Sequence, residues 1–423
     1  MNTFFEKLKI ILRDPTLRKR ILFTLGALVI FRVLASIPMP GIDTLSLERL
    51  LAGNQFFGLL DIFSGGGISR LSIVMLGVGP YITASIIMQL LTMMFPSMKA
   101  MMQEEGEMGR QKLSQYSRLL SVPLAAIQAF AFIKLFQGQN VIPPLSGMDL
   151  ITSIFVITAG SMLLMWIGEL ISEFGIGNGV SLIIFAGIVA VLPTSIYQFI
   201  AGFDPAQIPL YLIFLLVAIV VIVAVVVVTE AERPVSVTYA KQVRGNKVYG
   251  GVSTYLPLRL NQAGVIPIIF ALSILLFPQI IANFLTSSAN PTIAGIATWI
   301  TNFMSNQWTY GIFYFLLVFV FTYFYTAVTF DPKMISENLQ KSGAFIPGVR
   351  PGESTIGYLG KVVTRITLVG ALFLGIVAIL PLIMQGFTGN QTLAIGGTAL
   401  LIVVSVVLDL LKKVDAQASM REY

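Results

Sequence analysis

The side chains that usually carry out enzyme chemistry are scarce in this sequence. Its 423 residues include no cysteine and no histidine, which excludes thiol nucleophiles, thiolate metal sites, disulfides and imidazole bases together. The sequence also lacks a GxxxxGK[ST] phosphate-binding loop, so the chain is not itself a P-loop ATPase. We therefore expect a protein that is not an enzyme and that uses no metal or other cofactor.

The composition is that of a membrane protein. Hydrophobic residues make up 56% of the chain and charged residues 11%, with a mean hydropathy of +0.86, whereas soluble proteins carry about 25% charged residues. The first apolar run, 21–37, is followed by Pro38-Met39-Pro40 rather than by a small-residue cleavage site. It is therefore predicted to be a membrane span and not a signal peptide.

Hydropathy predicts ten membrane spans and hence an all-α integral membrane protein. The predicted spans are 21–37, 71–95, 119–136, 150–171, 180–201, 207–228, 263–286, 310–328, 364–385 and 392–411. Residues 1–20 combine six basic residues with an apolar face, which is typical of an amphipathic segment on the membrane surface. The layout is then a surface segment 1–20, a first half 21–201, a second half 202–411 and a tail 412–423.

The distribution of lysine and arginine predicts the orientation. Of the 27 basic residues, 23 fall on the side of the membrane that holds both termini, and basic loops stay in the cytoplasm. Five spans per half is an odd number, so the second half would be inverted relative to the first. External connections such as 286–309 are short or polar, whereas two cytoplasmic loops, 229–262 and 329–363, are long and basic. Such loops suit an acidic partner, for example ribosomal RNA.

The stretch 56–95 indicates a hole through the protein. A short apolar piece ends at Ser64 and three glycines, and the long apolar run 71–95 follows. The pattern fits a half-helix, a glycine joint and a full span, because irregular backbone at membrane depth must be buried in protein or line a cavity. The alternative is a glycine-rich external loop before an ordinary span.

Several motifs, taken together and in order, resemble the SecY family, the channel subunit of the bacterial Sec preprotein translocase. They are Ile37–Asp43 (IPMPGID), Pro80–Ile86 (PYITASI), Gly106–Arg110 (GEMGR), Gly175–Gly179 (GIGNG) and Lys341–Gly352 (KSGAFIPGVRPG). The resemblance covers essentially the whole chain.

The resemblance implies a fold of two inverted five-helix halves around a central pore, closed by a short re-entrant plug helix at about 57–69. The implied plug residues are Leu60, Ile62, Phe63, Gly65, Gly66 and Gly67. A ring of aliphatic side chains would seal the waist, formed by Ile82, Ile86, Ile184, Ile188, Ile269 and Ile402. The lateral gate would carry Gln89, Gln128 and Phe277, and the loops that bind a motor or ribosome would carry Arg244, Lys247, Lys341 and Arg350.

The resemblance also implies the function and the partners. The chain would translocate unfolded preproteins across the bacterial cytoplasmic membrane and release hydrophobic segments sideways into lipid. Its partners would be SecE-type and SecG-type small membrane subunits, the SecA ATPase, the ribosome, and the preprotein with its signal peptide.

Two other classes of membrane protein were weighed, and the transporter is kept as the alternative. An ion-coupled transporter of a small solute also uses inverted repeats, but it would place charged residues deep in its spans. Glu169, Asp409 and Lys134 instead fall near predicted span ends. An intramembrane aspartyl protease needs two mid-membrane aspartates, which the spans lack. By pattern alone, most isoleucines in spans face lipid or packing, so the ring depends on the family resemblance.

Overall fold

Thirteen helices and five short strands make up the described part of the chain. The computed structural model describes residues 14–39, 47, 64, 66–104, 106–138, 141–201, 205, 208–240, 242–244, 247–249, 253–285, 290–388 and 396–419. The first half contains α1 (Pro15–Ala35), α2 (Gly79–Met94), α3 (Pro96–Glu104), α4 (Glu107–Gly138), α5 (Gly147–Phe174) and α6 (Gly179–Ala201).

The second half carries seven of these helices and all of the strands. Its helices are α7 (Ile208–Glu230), α8 (Ile266–Leu285), α9 (Pro291–Ser305), α10 (Gln307–Thr329), α11 (Pro332–Lys341), α12 (Glu353–Thr388) and α13 (Gly396–Ser419). The strands are β1 (Glu232–Tyr239), β2 (Gln242–Arg244), β3 (Lys247–Tyr249), β4 (Ser253–Arg259) and β5 (Ala344–Phe345).

Each predicted span overlaps one long helix. By length and composition, five helices of the described chain could cross a membrane: α4, α5, α7, α12, and α10 with its continuation α11. Helices α2, α6 and α8 contain shorter apolar stretches. Helices α4 and α12 begin about three turns before the predicted spans 119–136 and 364–385, because their first turns are polar helix that hydropathy does not detect.

The predicted surface segment 1–20 is divided differently in the structure. Helix α1 begins at Pro15, and the Asp14 side chain caps it by accepting a hydrogen bond of 2.9 Å from the Thr16 amide. Proline is favoured at this position because its missing amide hydrogen is not needed there. Residues 15–20 therefore belong to the first long helix, while residues 1–13 lie outside the described part of the chain.

The two halves repeat one pattern of helix neighbours. In the first half α2 packs on α4, α4 on α5, α5 on α6, and α1 on both α5 and α6. In the second half α8 packs on α10, α10 on α12, α12 on α13, and α7 on both α12 and α13. The short helices correspond as well, since α3 connects α2 to α4 and α9 connects α8 to α10. The repeat is therefore one of packing, although no residue-level repeat is visible in the sequence.

The two long loops fold together into one small module. Strand β1 pairs antiparallel with β4 from its own loop and with β5 from the other, through Thr238–Phe345 and Tyr239–Ala344. Side chains from both loops share an apolar core with the first turns of α12: Val235, Val237, Leu258, Ala344, Ile346, Leu359, Val362, Val363 and Ile366. We call this unit, residues 232–259 with 331–363, the strand module.

Candidate functional site

Isoleucines from four helices, two in each half, converge in buried apolar clusters. Ile184, Ile188 and Ile402 are members of one buried cluster, and the partly buried Ile82 and Ile269 pack against it. Ile86 belongs to a second cluster, and Ile82 packs against this cluster too. Four of these side chains, Ile86, Ile184, Ile188 and Ile402, are exposed by only 1–3%. The six residues thus lie in two adjoining clusters that Ile82 links.

Three valines that the sequence reasoning missed join these isoleucines. Val74 and Val78 are fully buried in the cluster of Ile184 and Ile402, and Val265 packs against both clusters. Val78 precedes Ile82 by four residues, as Ile82 precedes Ile86. This i, i+4 spacing was the available signal, because residues four apart lie on one side of a helix.

The backbone that leads to α2 is irregular, so the predicted span 71–95 is wrong at its start. Residues 66–78 form turns, and the helix begins only at Gly79. Gly66 and Gly77 have positive φ, and so does the fully buried Leu71, with φ 40°. Such angles end a helix, and hydropathy does not detect them.

Hydrogen bonds tie this irregular segment to the residues after α1 and to α5. The Met39 amide donates to the Leu71 carbonyl over 3.0 Å, and the Ile73 amide donates to the Ile37 carbonyl over 3.1 Å. On the other side, the Ser161 hydroxyl of α5 donates to the Gly77 carbonyl over 2.9 Å. Buried backbone polar groups are costly unless they are paired, and these bonds pair them. We call residues 66–78 the bracket.

Small residues on α5 make room for the bracket. A Cβ atom added at Gly160 would overlap the Ile73 carbonyl oxygen. The same requirement acts at the turn between α5 and α6, where a Cβ at Gly179 would overlap the Gly168 carbonyl oxygen. The GIGNG motif therefore has a packing reason, since only glycine fits where two backbones approach this closely.

The predicted plug lies mostly outside the described residues. Four of the predicted plug residues lie outside the described residues: Leu60, Ile62, Phe63 and Gly65. The other two, Gly66 and Gly67, are described and are buried. Residues 66–69 form a bend and turn, so the predicted half-helix 57–69 does not extend through them. A Cβ at Gly67 would come within 3.2 Å of the Met75 Cα, so the end of the joint is tightly packed against the bracket.

The two halves meet along two seams. On one side α8 packs against α2 and α4, and on the other α6 packs against α13. Gln89 of α2 lies half-buried with its amide donating to the Ser85 hydroxyl over 3.3 Å. Its side-chain oxygen is buried and has no hydrogen-bond partner within the described chain. Gln128 is half-buried on α4, and Phe277 lies on α8 with a side chain outside the described set.

The predicted loop bases all lie on the strand module. Arg244 and Lys247 are opposite one another in the antiparallel pair of strands β2 and β3. Lys341 is exposed in the last turn of α11. Arg350 is exposed in the turn before α12, and its carbonyl accepts a hydrogen bond of 3.0 Å from the Thr355 hydroxyl.

Two of the three charged residues near the span ends form ion pairs. Glu169 of α5 pairs with Arg118 of α4, with 2.6 Å between Oε1 and Nε. Asp409 pairs with Lys413 one turn later over 2.8 Å, while Lys134 is half-buried on α4. No group of three or more acidic, histidine or cysteine residues that could hold a metal occurs in the residues described. The predicted ring residues therefore lie in buried apolar clusters, of which the ion-paired Glu169 and Asp409 are not members.

Taken together, the fold is that of an all-α, multi-pass membrane protein whose two halves repeat one packing pattern and share buried apolar clusters. The family model described as SecY matches residues 72–411. The protein translocase subunit SecY of Thermus thermophilus is 44% identical over 434 residues, covering 100% of this chain and 97% of that protein. The chain belongs to the SecY family, which makes it a protein-conducting channel and not an enzyme.

Solved structures show the same fold. One concerns the plug domain of the SecY protein, described as stabilising the closed state of the translocation channel and maintaining a membrane seal. Its TM-score is 0.65 at 21% identity, covering 97% of this chain and 94% of that one. Another is Sec61 in the canine ribosome–channel complex from the endoplasmic reticulum, with a TM-score of 0.62, 19% identity, and coverage of 97% and 94%. No comparison supports the solute-transporter alternative.

Proposed function

We propose that this chain is the pore subunit of a bacterial preprotein translocase. It passes unfolded preproteins outward across the cytoplasmic membrane and releases hydrophobic segments sideways into lipid. The observation that supports this most directly is the convergence of Ile82, Ile184, Ile269 and Ile402 from four helices of the two halves. A pore that must pass every kind of side chain needs walls that bind none of them strongly.

The isoleucine ring is proposed to act as the seal. Aliphatic side chains offer no hydrogen bonds, so a narrow neck lined by them excludes water and ions by dewetting. Isoleucine is restricted at χ1, which lets the ring keep its shape while helix movement opens it. The plug at 57–69 would close the external side above the ring, and the plug domain of the SecY structure described above is reported to stabilise the closed state and maintain a membrane seal.

The lateral gate is proposed at the seam where α8 meets α2 and α4. A seam between halves can open without breaking the packing inside either half. Gln89 supports this location, because its buried side-chain oxygen lacks a partner in the described chain, and an unpaired polar atom weakens the closed seam by roughly 1–3 kcal/mol. A passing segment could satisfy that atom in the open state.

The strand module is proposed as the docking site for the machinery that supplies energy. Two structural neighbours are channels bound to ribosomes, Sec61 and yeast Ssh1. Exposed Lys341 and Arg350 suit an acidic surface such as ribosomal RNA. Family resemblance adds SecA, through Arg244, Lys247 and the same loop bases, and small SecE-type and SecG-type subunits beside the spans. Both termini and the module would lie in the cytoplasm.

Crosslinking of a stalled substrate tests this function. A preprotein carrying a photoreactive residue is arrested in the purified translocase, and its crosslinks are mapped by mass spectrometry. We expect crosslinks to Ile184 and Ile402, and none to Ile213, which is 56% exposed on the outer side of α7. Crosslinks to Ile213 alone would place the substrate outside the protein, and absence of any crosslink together with solute uptake would favour a transporter.

A further inference from the structure

Helix α9 was expected to be part of a short or polar connection, 286–309, and the structure corrects this. Residues 291–305 form a four-turn helix without a charged residue. Its N-cap is Asn290, whose side chain accepts a hydrogen bond of 3.1 Å from the Thr292 amide. Asn306 ends α9 and also caps α10 by accepting from the Trp308 amide over 3.1 Å. The two asparagines thus define a helix with a sharp corner at its end.

The faces of α9 differ in chemistry. Ala297 and Met304 are buried on the protein side, where α9 packs against α8 and α10. Beside that face lies an exposed apolar face formed by Ile293, Ile296 and Trp299, exposed by 39%, 59% and 65%. Thr298 and Asn302 are exposed on the remaining side. A helix with this division is amphipathic even though part of it already packs on protein.

The apolar face of α9 continues into the outward surface of α10. Trp299 stacks on Phe303 with ring centroids 5.6 Å apart, and Phe303 meets Phe313 of α10 edge-on at 6.4 Å. Further along α10, Ile312, Leu316 and Val320 are all exposed by at least half. In a helix that crosses the membrane, such a surface faces lipid. The apolar face of α9 is therefore continuous with the lipid-facing surface of the protein.

The position of α9 along the membrane normal follows from α10. Helix α9 meets the first residue of α10, whereas α11 and the strand module follow its last residue. Helix α9 and the strand module therefore lie at opposite ends of α10, a membrane-crossing helix. Trp308, the second residue of α10, is 63% exposed at the same end as Trp299. Tryptophans concentrate at the level of lipid headgroups.

We propose that α9 is an interfacial helix that lies in the headgroup region of the bilayer, at the surface opposite the strand module. Its Ile293, Ile296 and Trp299 face penetrates roughly 5–10 Å into the boundary of headgroups and acyl chains, and Thr298 and Asn302 face water. Because α9 packs on α8, this contact fixes the end of α8 at a constant depth. The occupant of the exposed face is phospholipid and not a partner protein.

The depth of Trp299 tests the proposal. The chain has three tryptophans, so a variant with Trp166→Phe and Trp308→Phe retains only Trp299. It is reconstituted with its small subunits into vesicles of phosphatidylcholine and phosphatidylglycerol that carry bromine either near the headgroup end of the acyl chain or near its terminus. Bromine near the headgroup should quench Trp299 fluorescence roughly twofold more than bromine near the chain end, because the helix is shallow.

A deeper indole serves as the matched control. L316W, made with all three native tryptophans changed to phenylalanine, places the probe nine residues into α10, about 13 Å deeper along the helix. Its quenching should favour bromine near the chain end. Equal depth profiles for Trp299 and L316W would show that α9 lies inside the membrane and would overturn the proposal.

A glutamate on the apolar face of α9, compared with one on its polar face, tests which face contacts lipid. I296E should lower lipid quenching of Trp299 roughly twofold, since a carboxylate is costly among acyl chains, and T298E should leave it unchanged. Trp299 quenched by aqueous iodide and by no lipid would mean that the face is in water. Shielding from both iodide and lipid would mean that protein covers it. Either result overturns the proposal. Both can be measured in the variant that carries only Trp166→Phe and Trp308→Phe, so they do not depend on the added charge.

Discussion

Ile402 is the residue at which the proposed seal can be tested most directly. It is 1% exposed within the cluster that also holds Ile184 and Ile188. Asparagine there would place an amide in an apolar neck, which costs roughly 1–3 kcal/mol when it is left unpaired. An open, hydrated neck would not carry that cost. Ile402→Asn should therefore shift the channel toward its open state.

We expect two changes together from Ile402→Asn: higher resting ion conductance in planar bilayers, and export of preproteins with defective signal sequences. A shift of about 1.4 kcal/mol would change the open-to-closed ratio roughly tenfold. Ile213→Asn on the outer side of α7 is the control and should change neither property. Loss of folded protein, with neither leak nor relaxed selectivity in the remainder, would identify Ile402 as a packing residue.

At the scale of elements, a deletion that tests the plug must leave the contacts of residues 64–71 intact. Ile68 and Leu71 are buried in a cluster with Ile133 and Phe136 of α4, and the Ser64 hydroxyl accepts from the Gly67 and Ile68 amides. Removing the predicted plug 57–69 would therefore remove part of this packing. A deletion confined to 57–63 spares it.

We expect the deletion of 57–63 to raise ion leak while export continues, because it removes a stopper and leaves the channel walls in place. The deletion of 57–69 should in addition lower the amount of folded protein, through the loss of buried apolar contacts. Conductance and the yield of purified complex measure the two effects separately. If the shorter deletion also abolishes assembly, residues 57–63 are structural and the plug hypothesis is wrong.

The strand module makes a second prediction at this scale. Arg350 is exposed in a turn that the Thr355 hydroxyl fixes, so its charge can be reversed with little effect on folding. Arg350→Glu should slow motor-dependent export by roughly tenfold or more, since a like charge would face the acidic partner. Lys19→Glu, at an exposed base on α1 outside the strand module, is the charge-matched control. If Arg350→Glu exports preproteins at the normal rate, the positive charge of this loop only sets the orientation of the chain in the membrane.

At the scale of the whole molecule, the orientation of the chain is the prediction to test. Cysteines can be introduced singly, since the chain has none of its own. Positions 246 and 345 lie on the strand module, and position 295 is on α9, where an added side chain meets open space. Membrane-impermeant maleimide should label 295 from outside intact cells, and 246 and 345 only after the cytoplasmic side is opened. The reverse pattern would contradict the ten-span orientation.

The sequence by itself determined the class of protein and most of its elements. Apolar runs of span length have few alternatives in a bilayer, because every backbone polar group must be paired internally. For this reason each of the ten predicted spans overlaps a helix, although their ends differ. The motifs IPMPGID and GIGNG were visible as well, and the structure gives physical reasons for them. Ile37 and Met39 bond to the bracket, and Gly179 allows α6 to approach α5 closely.

The tertiary structure decided what hydropathy cannot measure. The start of α2 at Gly79 depends on hydrogen bonds that the preceding segment makes with Ile37, Met39 and Ser161, which lie far away in the sequence. Helix α9 escaped detection because a search for spans looks for about 20 apolar residues, and α9 has only 15 residues. The repeat of helix neighbours between the halves was also invisible, since packing geometry can be retained when the residues themselves differ. Convergence of isoleucines from α2, α6, α8 and α13 required the fold, because periodicity gives the face of one helix and never its neighbours.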